Sequence, residues 1–339
     1  MILTYRGVAY DTGTNNDHGG VLSREVWETD LVSQELGAIR EDLHCNAVGL
    51  YGTDLDRLAE AATIALEHGL HVWLQPRLID ADANQTLAHL AKDARVAEEL
   101  RRQDQRVTLN LGCELSIFSQ GIIPGDNYEQ RSAKLGSPRH WPLMPWYNHR
   151  LNTLLASAAE VARAGFNGPI TYSAGMWEKV KWELFDIIGL DYYRLPYNYA
   201  NYGKNLRKHH RYDKPIVITE FGLGSYQGAE ENGPSGHEII DHDAPAPHIT
   251  DGHRRDEQIQ ADQLAELLDI YEAEGVHGAF VFEFIEPSYP HSADPRYDLD
   301  MAGYGLVKVL PGTADQPYRW QPKKAFRTIA TRYAQAAEK

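Results

Sequence analysis

Cysteine is almost absent from this 339-residue chain: only Cys45 and Cys113 occur, at no metal-ligand spacing. That excludes a disulfide framework and a cysteine-built zinc site. No stretch reaches the ~18 consecutive apolar residues of a membrane-crossing helix. Basic residues are in deficit, 33 Lys+Arg against 48 Asp+Glu, and the net charge of −15 argues against a nucleic-acid backbone or an anionic membrane as partner. The chain lacks a Gly-x-Gly-x-x-Gly after its first apolar run, so the dinucleotide signature is missing. Its first residues run into a strand-like segment without a basic n-region or an apolar h-region, and the expectation is a cytoplasmic, reduced setting. No linker, low-complexity tract or internal repeat divides residues 1–339, which are expected to form one domain.

What is present is alternation. Short β-rich runs at 3–10, 46–51, 71–76, 107–114, 169–174, 185–193, 215–221 and 277–284 are separated by amphipathic helical patterns. Thr53-Asp-Leu-Asp56 reads as a capping box opening one helix, and 82–103, 143–164, 201–210, 255–274 and 322–336 read as others. About eight such units over ~250 residues or more predict a single-domain (β/α)8 barrel. Three connections exceed the usual ~2–6 residues, at 115–142, 222–254 and 286–321. They follow strands four, seven and eight on the face where barrel sites are built.

Strand alternation then selects inward residues. Thr108, Asn110, Gly112 and Glu114 are expected to face the axis, with Val107, Leu109, Leu111 and Cys113 packing outward and the Cys113 thiol inert. Asp191 and Tyr193 point inward from strand six. In strand seven Ile216, Ile218 and Glu220 share a face, and in strand eight Ala279, Val281 and Glu283 are taken as inward. Asp11, Tyr51, Gln75, Arg77 and Ser173 occupy the other tips.

The result is two glutamates, Glu114 and Glu220, across one mouth. Glycoside hydrolysis uses such a pair, one carboxyl protonating the leaving oxygen and the other attacking or activating water. The bland alternative is an arginine partner for each, sealing the barrel. Trp141 and Trp146 in the loop after strand four are candidate sugar platforms, or else anchors for that loop. Tyr193 is placed to hold Glu220, and Arg77 is either its charge partner or a structural ion pair. Together with Asp11, Tyr51, Asp191 and Glu283 these residues make up the expected substrate site. The His237, Asp241, His242, Asp243, His248, Asp251 and His253 region offers metal-type ligands at no recognised spacing, so neither metal nor cofactor is expected.

Gly112-Cys-Glu-Leu115 and Ile218-Thr-Glu-Phe-Gly222 resemble the acid/base and nucleophile strand ends of the large (β/α)8 glycosidase clan, clan A, with catalytic glutamates on strands four and seven. Phe185-Asp-Ile-Ile-Gly-Leu-Asp-Tyr-Tyr193 is similar to strand six of its galactanase and mannanase members. Tyr304-Gly-Leu-Val307 and Trp320-Gln-Pro-Lys-Lys-Ala-Phe326 resemble the run-in to the last helix. The Gly-x-Glu-Leu form is nearest to mannanase-like family 113. The resemblance implies a retaining β-glycosidase with Glu220 as nucleophile, Glu114 as acid/base and an oligosaccharide or glycoside of β-mannoside, β-galactoside or β-glucoside type as substrate. Two positions depart from the pattern: Cys113 stands where most members have Asn, and Glu283-Phe-Ile-Glu286 stands where many have a Trp platform. A barrel that binds carbohydrate or protein without turnover, or a metal-dependent hydrolase, are the other readings. The absence of His-x-His in the first strand counts against the last.

Overall fold

A computed structural model describes residues 2–15, 21–313 and 316–337. Eight parallel strands close into a barrel: Tyr5–Asp11, Ala47–Gly52, His71–Pro76, Val107–Cys113, Ile170–Gly175, Ile188–Asp191, Ile216–Phe221 and Gly278–Val281. Strand one pairs with both strand two and strand eight, so every barrel edge is hydrogen-bonded. Helices Leu55–Glu67, Ala83–Gln103, Met144–Gly165, Glu257–Ala273 and Lys324–Ala337 pack around it, as their apolar faces require. A further helix, Thr29–Glu41, lies where no pattern was singled out in the sequence; it buries Leu31, Val32, Leu36 and Ile39. Among the described residues no helix is long and apolar enough to cross a membrane.

Helix starts follow side-chain capping. Asp82 accepts from Gln85 N while the Gln85 side chain accepts from Asp82 N, a reciprocal capping box. At residue 55 the cap is Asp54 and not Thr53, since Asp54 accepts from Asp56 N and Arg57 N. The Thr53 hydroxyl is committed elsewhere, to the Arg77 carbonyl at 2.7 Å.

Inside the barrel Ala47, Trp73, Ile187, Val217 and Phe280 form a separate apolar cluster. These residues come from or adjoin five strands and can meet only on the axis. Strand eight therefore faces inward through Phe280, while Ala279 and Val281 join the outer core, the reverse of the expected parity. The same correction applies to strand seven, where Val217 is interior and Ile216 and Ile218 pack outward. The Phe280 ring explains Gly7 opposite it: a Cβ there would lie 2.3 Å from the ring.

Alternation breaks at two places near the mouth. Strand four carries one extra residue against strand five, between Asn110 and Cys113. Strand seven carries one extra residue against both neighbours, between Ile218 and Phe221. A bulge of this kind turns two consecutive side chains to one side. Both lie at strand C-termini, beneath loops that hold the helices Leu115–Phe118 and Tyr128–Gly136, the short hairpin Ile240–Asp241/His248–Ile249 and the hairpin Val307–Pro311/Tyr318–Pro322.

Candidate active site

The two bulges decide which groups meet. In strand seven Thr219 and Glu220 both reach the mouth: Thr219 Oγ1 donates to Asp191 Oδ1 at 2.8 Å, and Glu220 Oε1 accepts from the Tyr193 hydroxyl at 2.7 Å. Arg77 Nη2 approaches Glu220 Oε2 at 3.5 Å, so both carboxylate oxygens are oriented. In strand four Gly112, at φ +145°, permits the turn that brings Cys113 inward. Cys113 Sγ donates to Asp191 Oδ2 at 3.2 Å. The expected outward, inert Cys113 is thereby corrected: the extra residue reverses its face. One buried carboxylate, Asp191, thus accepts from the residue preceding each of the two glutamates.

Glu114 sits at φ +42°, at the head of the Leu115–Phe118 helix. Among the described residues its carboxyl makes no hydrogen bond. Burial first, then the charges of Asp191, Glu220 and Glu178, push it well above the usual carboxyl range, with Arg77 opposing. Asp191 is also raised, by burial and then by Glu220. Arg77 is half-buried, and the desolvation opposes its charge, yet Cys113, Glu220, Tyr51 and Asp191 hold it above its ordinary value. Its guanidinium carbon lies 4.2 Å from the Tyr51 ring centre, and Gln75 Oε1 accepts from its Nη2 at 2.7 Å.

Behind Glu114 lies a group the sequence did not single out. Glu178 accepts from Ser116 N at 3.0 Å, from the Tyr172 hydroxyl at 2.8 Å and from Gly175 N at 3.1 Å. Tyr172 in turn accepts from Leu115 N at 2.7 Å. The two amides that follow Glu114 are therefore tied to strand five and its loop. The only signal in the sequence was an acidic residue shortly after a strand tip, in Gly175-Met-Trp-Glu178.

The other expected residues divide. Tyr51 donates to Glu283 Oε2 at 2.6 Å, which places Glu283 in the mouth beside strand two. Burial, then Glu286 and Asp11, raise the Glu283 carboxyl well above its usual range, and burial lifts Glu286 to about 7. Phe282 stacks on Tyr51 at 5.7 Å and approaches Tyr304 at 5.5 Å, providing an aromatic wall that the sequence reading assigned to other residues. Asp11 is turned to its own loop, accepting from Gly13 N at 2.8 Å and from the Ser23 hydroxyl. Trp141 is 60% exposed and donates to the Leu135 carbonyl, while Trp146 lies under the Arg150 guanidinium at 3.9 Å. Among the described residues neither tryptophan touches the mouth carboxyls. A small cavity opens under Glu220, lined by Tyr51, Gln75, Arg77, Asn110 and Thr219.

Two groups offer metal-type ligands among the described residues: Cys113, Asp191 and Glu220, and His291, Asp298 and Asp300. The second is occupied by cations of the chain, since Arg255 pairs with Asp298 and Asp300, and Lys323 with Asp300. The His237–Ile239 end of the strand-seven loop is engaged in packing, with His237 Nδ1 3.4 Å from the Tyr304 hydroxyl.

No family model and no curated protein matches this sequence. Solved structures do match. A GH113 β-1,4-mannanase superposes with a TM-score of 0.63 at 16% identity, over 98% of this chain and 99% of that one. The GH113 β-mannanase AaManA from Alicyclobacillus acidocaldarius, in complex with ManMIm, gives 0.61 at 15% identity over 99% and 98%. Thermotoga maritima Cel5A, in complex with mannotriose, gives 0.51 at 13% over 96% and 97%. The likeness is one of fold. The barrel is the one these glycoside hydrolases share from end to end.

Proposed function

We propose that the chain is a retaining β-glycoside hydrolase acting on an oligosaccharide or glycoside, with Glu220 as nucleophile and Glu114 as acid/base. The observation that carries this reading is the contrast between the two glutamates. Glu220 is oriented by Tyr193 and Arg77. Glu114 is left without a partner among the described residues, and its surroundings favour the protonated form. Environments that separate two carboxyls in this way assign the acid and the base.

In the first step a Glu220 oxygen bonds to the anomeric carbon as the glycosidic C–O bond breaks, and Glu114 gives its proton to the departing oxygen. In the second, Glu114 takes a proton from water, whose oxygen bonds to the same carbon and releases Glu220. Two inversions leave the configuration retained. The β-mannoside, β-galactoside or β-glucoside choice is made by the walls: Tyr51, Phe282 and Glu283 on one side, Asp191 and Cys113 on the other.

The test is a panel of activated aryl β-glycosides, with NMR of the first-formed anomer and Glu220→Ala as control. Turnover with a β-anomer first, reduced at least about 10³-fold in the variant, is expected. Unchanged turnover in Glu220→Ala, or an α-anomer first, would overturn the assignment. Ligand binding without turnover of any glycoside would favour a binding barrel instead.

A further inference from the structure

Glu283 is a carboxyl of the mouth with no part in the two chemical steps. Its backbone is pinned on three sides. Phe282 N donates to the Phe221 carbonyl at 2.7 Å, Phe284 N donates to the Ala9 carbonyl at 2.9 Å, and the Glu283 carbonyl accepts from Leu306 N at 2.9 Å. The first of these bonds sets the strand-eight tip beside Glu220, which precedes Phe221. The side chain is held too, since Oε2 accepts from the Tyr51 hydroxyl at 2.6 Å. Oε1 differs. Glu283 is only 3% exposed, yet Oε1 accepts from no donor among the described residues. Nor is it one of the polar atoms sealed away from solvent without a partner, so it opens on the mouth. A fixed, nearly buried side chain that leaves one polar atom for an incoming group is a preorganised ligand contact.

The surrounding charge decides what that ligand is. After burial, Glu286, Asp11 and Glu220 raise the Glu283 carboxyl. Among the described residues the cation of the mouth is Arg77, held by Gln75 and facing Glu220, while Lys323 is taken by Asp300. A hydroxyl both gives and accepts a hydrogen bond, so it suits a carboxyl in either state of protonation. A carboxylate only accepts, and it would add a negative charge where several are already crowded.

We infer that Glu283 selects the sugar: its open oxygen bonds a hydroxyl of an uncharged glycoside, and with the carboxyls around it Glu283 shuts uronides out of the mouth. This role rests on the glycosidase reading of the mouth, so binding is measured apart from turnover.

The experiment is calorimetry with uncleaved ligands, the phenyl thio-β-glycosides of glucose, galactose and mannose and of the three matching uronic acids. The parent protein should bind at least one neutral member, and the matching uronide at least about 100-fold more weakly. Glu283→Gln still bonds a hydroxyl but removes the acid, and should narrow that gap at least about tenfold. A merely structural role would weaken both members alike and leave the ratio where it was. Glu283→Asp keeps the acid and withdraws its oxygen, so neutral binding should fall about tenfold while the gap stays, and this variant decides the matter if Glu283→Gln does not fold. A uronide bound by the parent within about tenfold of its neutral partner overturns the inference. So does failure to bind any neutral member, an unchanged ratio in Glu283→Gln, or undiminished neutral binding in Glu283→Asp. Aryl-glycoside turnover is scored on the same proteins. The expected binding pattern without turnover upholds the selection and counts against the hydrolase reading; turnover with an unchanged ratio in Glu283→Gln does the reverse.

Discussion

Replacing Glu178 by Gln tests whether the strap behind Glu114 works through charge as well as shape. The carboxylate accepts from Ser116 N on one oxygen and from Tyr172 and Gly175 on the other. A glutamine accepts on one side only, so its NH2 must meet either the Ser116 N–H or the Tyr172–Gly175 pair. Leaving a buried donor unpaired costs about 1–3 kcal/mol, and the bonds that survive lose their charge assistance, for a total of about 2–4 kcal/mol. Thermal denaturation should register a fall of several degrees. The second readout is specific to charge. Burial raises Glu114 most, followed by Asp191, Glu220 and Glu178. A unit charge several ångströms away at an effective dielectric of about 20 is worth about 2 kcal/mol, somewhat more than one pK unit. Removing a negative neighbour favours the ionised form of Glu114. Its pKa falls, and the basic limb of kcat/KM against pH, where the acid loses its proton, moves down by about one unit. A purely structural role would lower activity alike at every pH. If the melting temperature and the basic limb both stay where they were, the strap argument is wrong.

Three further predictions concern stability. Arg24 is fully buried on Glu35, which also accepts from Tyr10 and Tyr318, so Arg24→Ala strands a buried carboxylate and should cost about 3–5 kcal/mol by urea denaturation; a loss under about 1 kcal/mol would contradict it. Gly7→Ala drives a methyl into the Phe280 ring and should destabilise by about 1–3 kcal/mol, with Phe280→Leu in the same chain recovering part of the loss. Asp93 is buried 3.4 Å from His89, and burial lifts its carboxyl from 3.8 to about 7. The folded state then keeps a proton that the unfolded chain releases, so this group's contribution falls as pH rises from about 4 to 7, by at most about 4 kcal/mol. Asp93→Asn should flatten the difference between denaturation at pH 5 and pH 8, and an undiminished difference would refute the cause.

The barrel was legible because hydrophobic period and segment length are local signals. Strand positions agreed to within three residues. Parity was harder. Strand eight offered Ala279, Val281 and Glu283 on one face and Phe280 and Phe282 on the other, and avoiding a buried glutamate chose the wrong one. The structure satisfies Glu283 beyond the strand's end instead, with the Tyr51 hydroxyl, a contact 232 residues away in sequence that no local pattern encodes. Trp141 and Trp146 drew notice by residue type alone, while the aromatics that line the cavity, Tyr51, Trp73, Phe280 and Phe282, lie on or beside the barrel strands themselves. Glu178 escaped because its meaning lies in three donors from two segments.

The bulges connect these differences to chemistry. Strict alternation would deliver one side chain per two residues to the mouth, and a glutamate would arrive with its neighbour turned away. Strands four and seven each insert one residue at the tip, so Cys113 accompanies Glu114 and Thr219 accompanies Glu220. In each pair the first residue anchors and the second is left to act. Both anchors end on the same carboxylate, Asp191, at 3.2 and 2.8 Å. The spacing of the two glutamates is thereby referred to one buried group on strand six, and not to two independent strand ends. A carboxylate in that position does two things at once: it fixes the geometry through its hydrogen bonds and raises Glu114 through its charge. Asp191→Asn separates them, since the amide keeps the size and one acceptor but loses the charge. Its pH profile should move in the same direction as that of Glu178→Gln and further, because Asp191 outranks Glu178 among the charges acting on Glu114. A smaller displacement than in Glu178→Gln would show that Asp191 holds the glutamates by geometry alone.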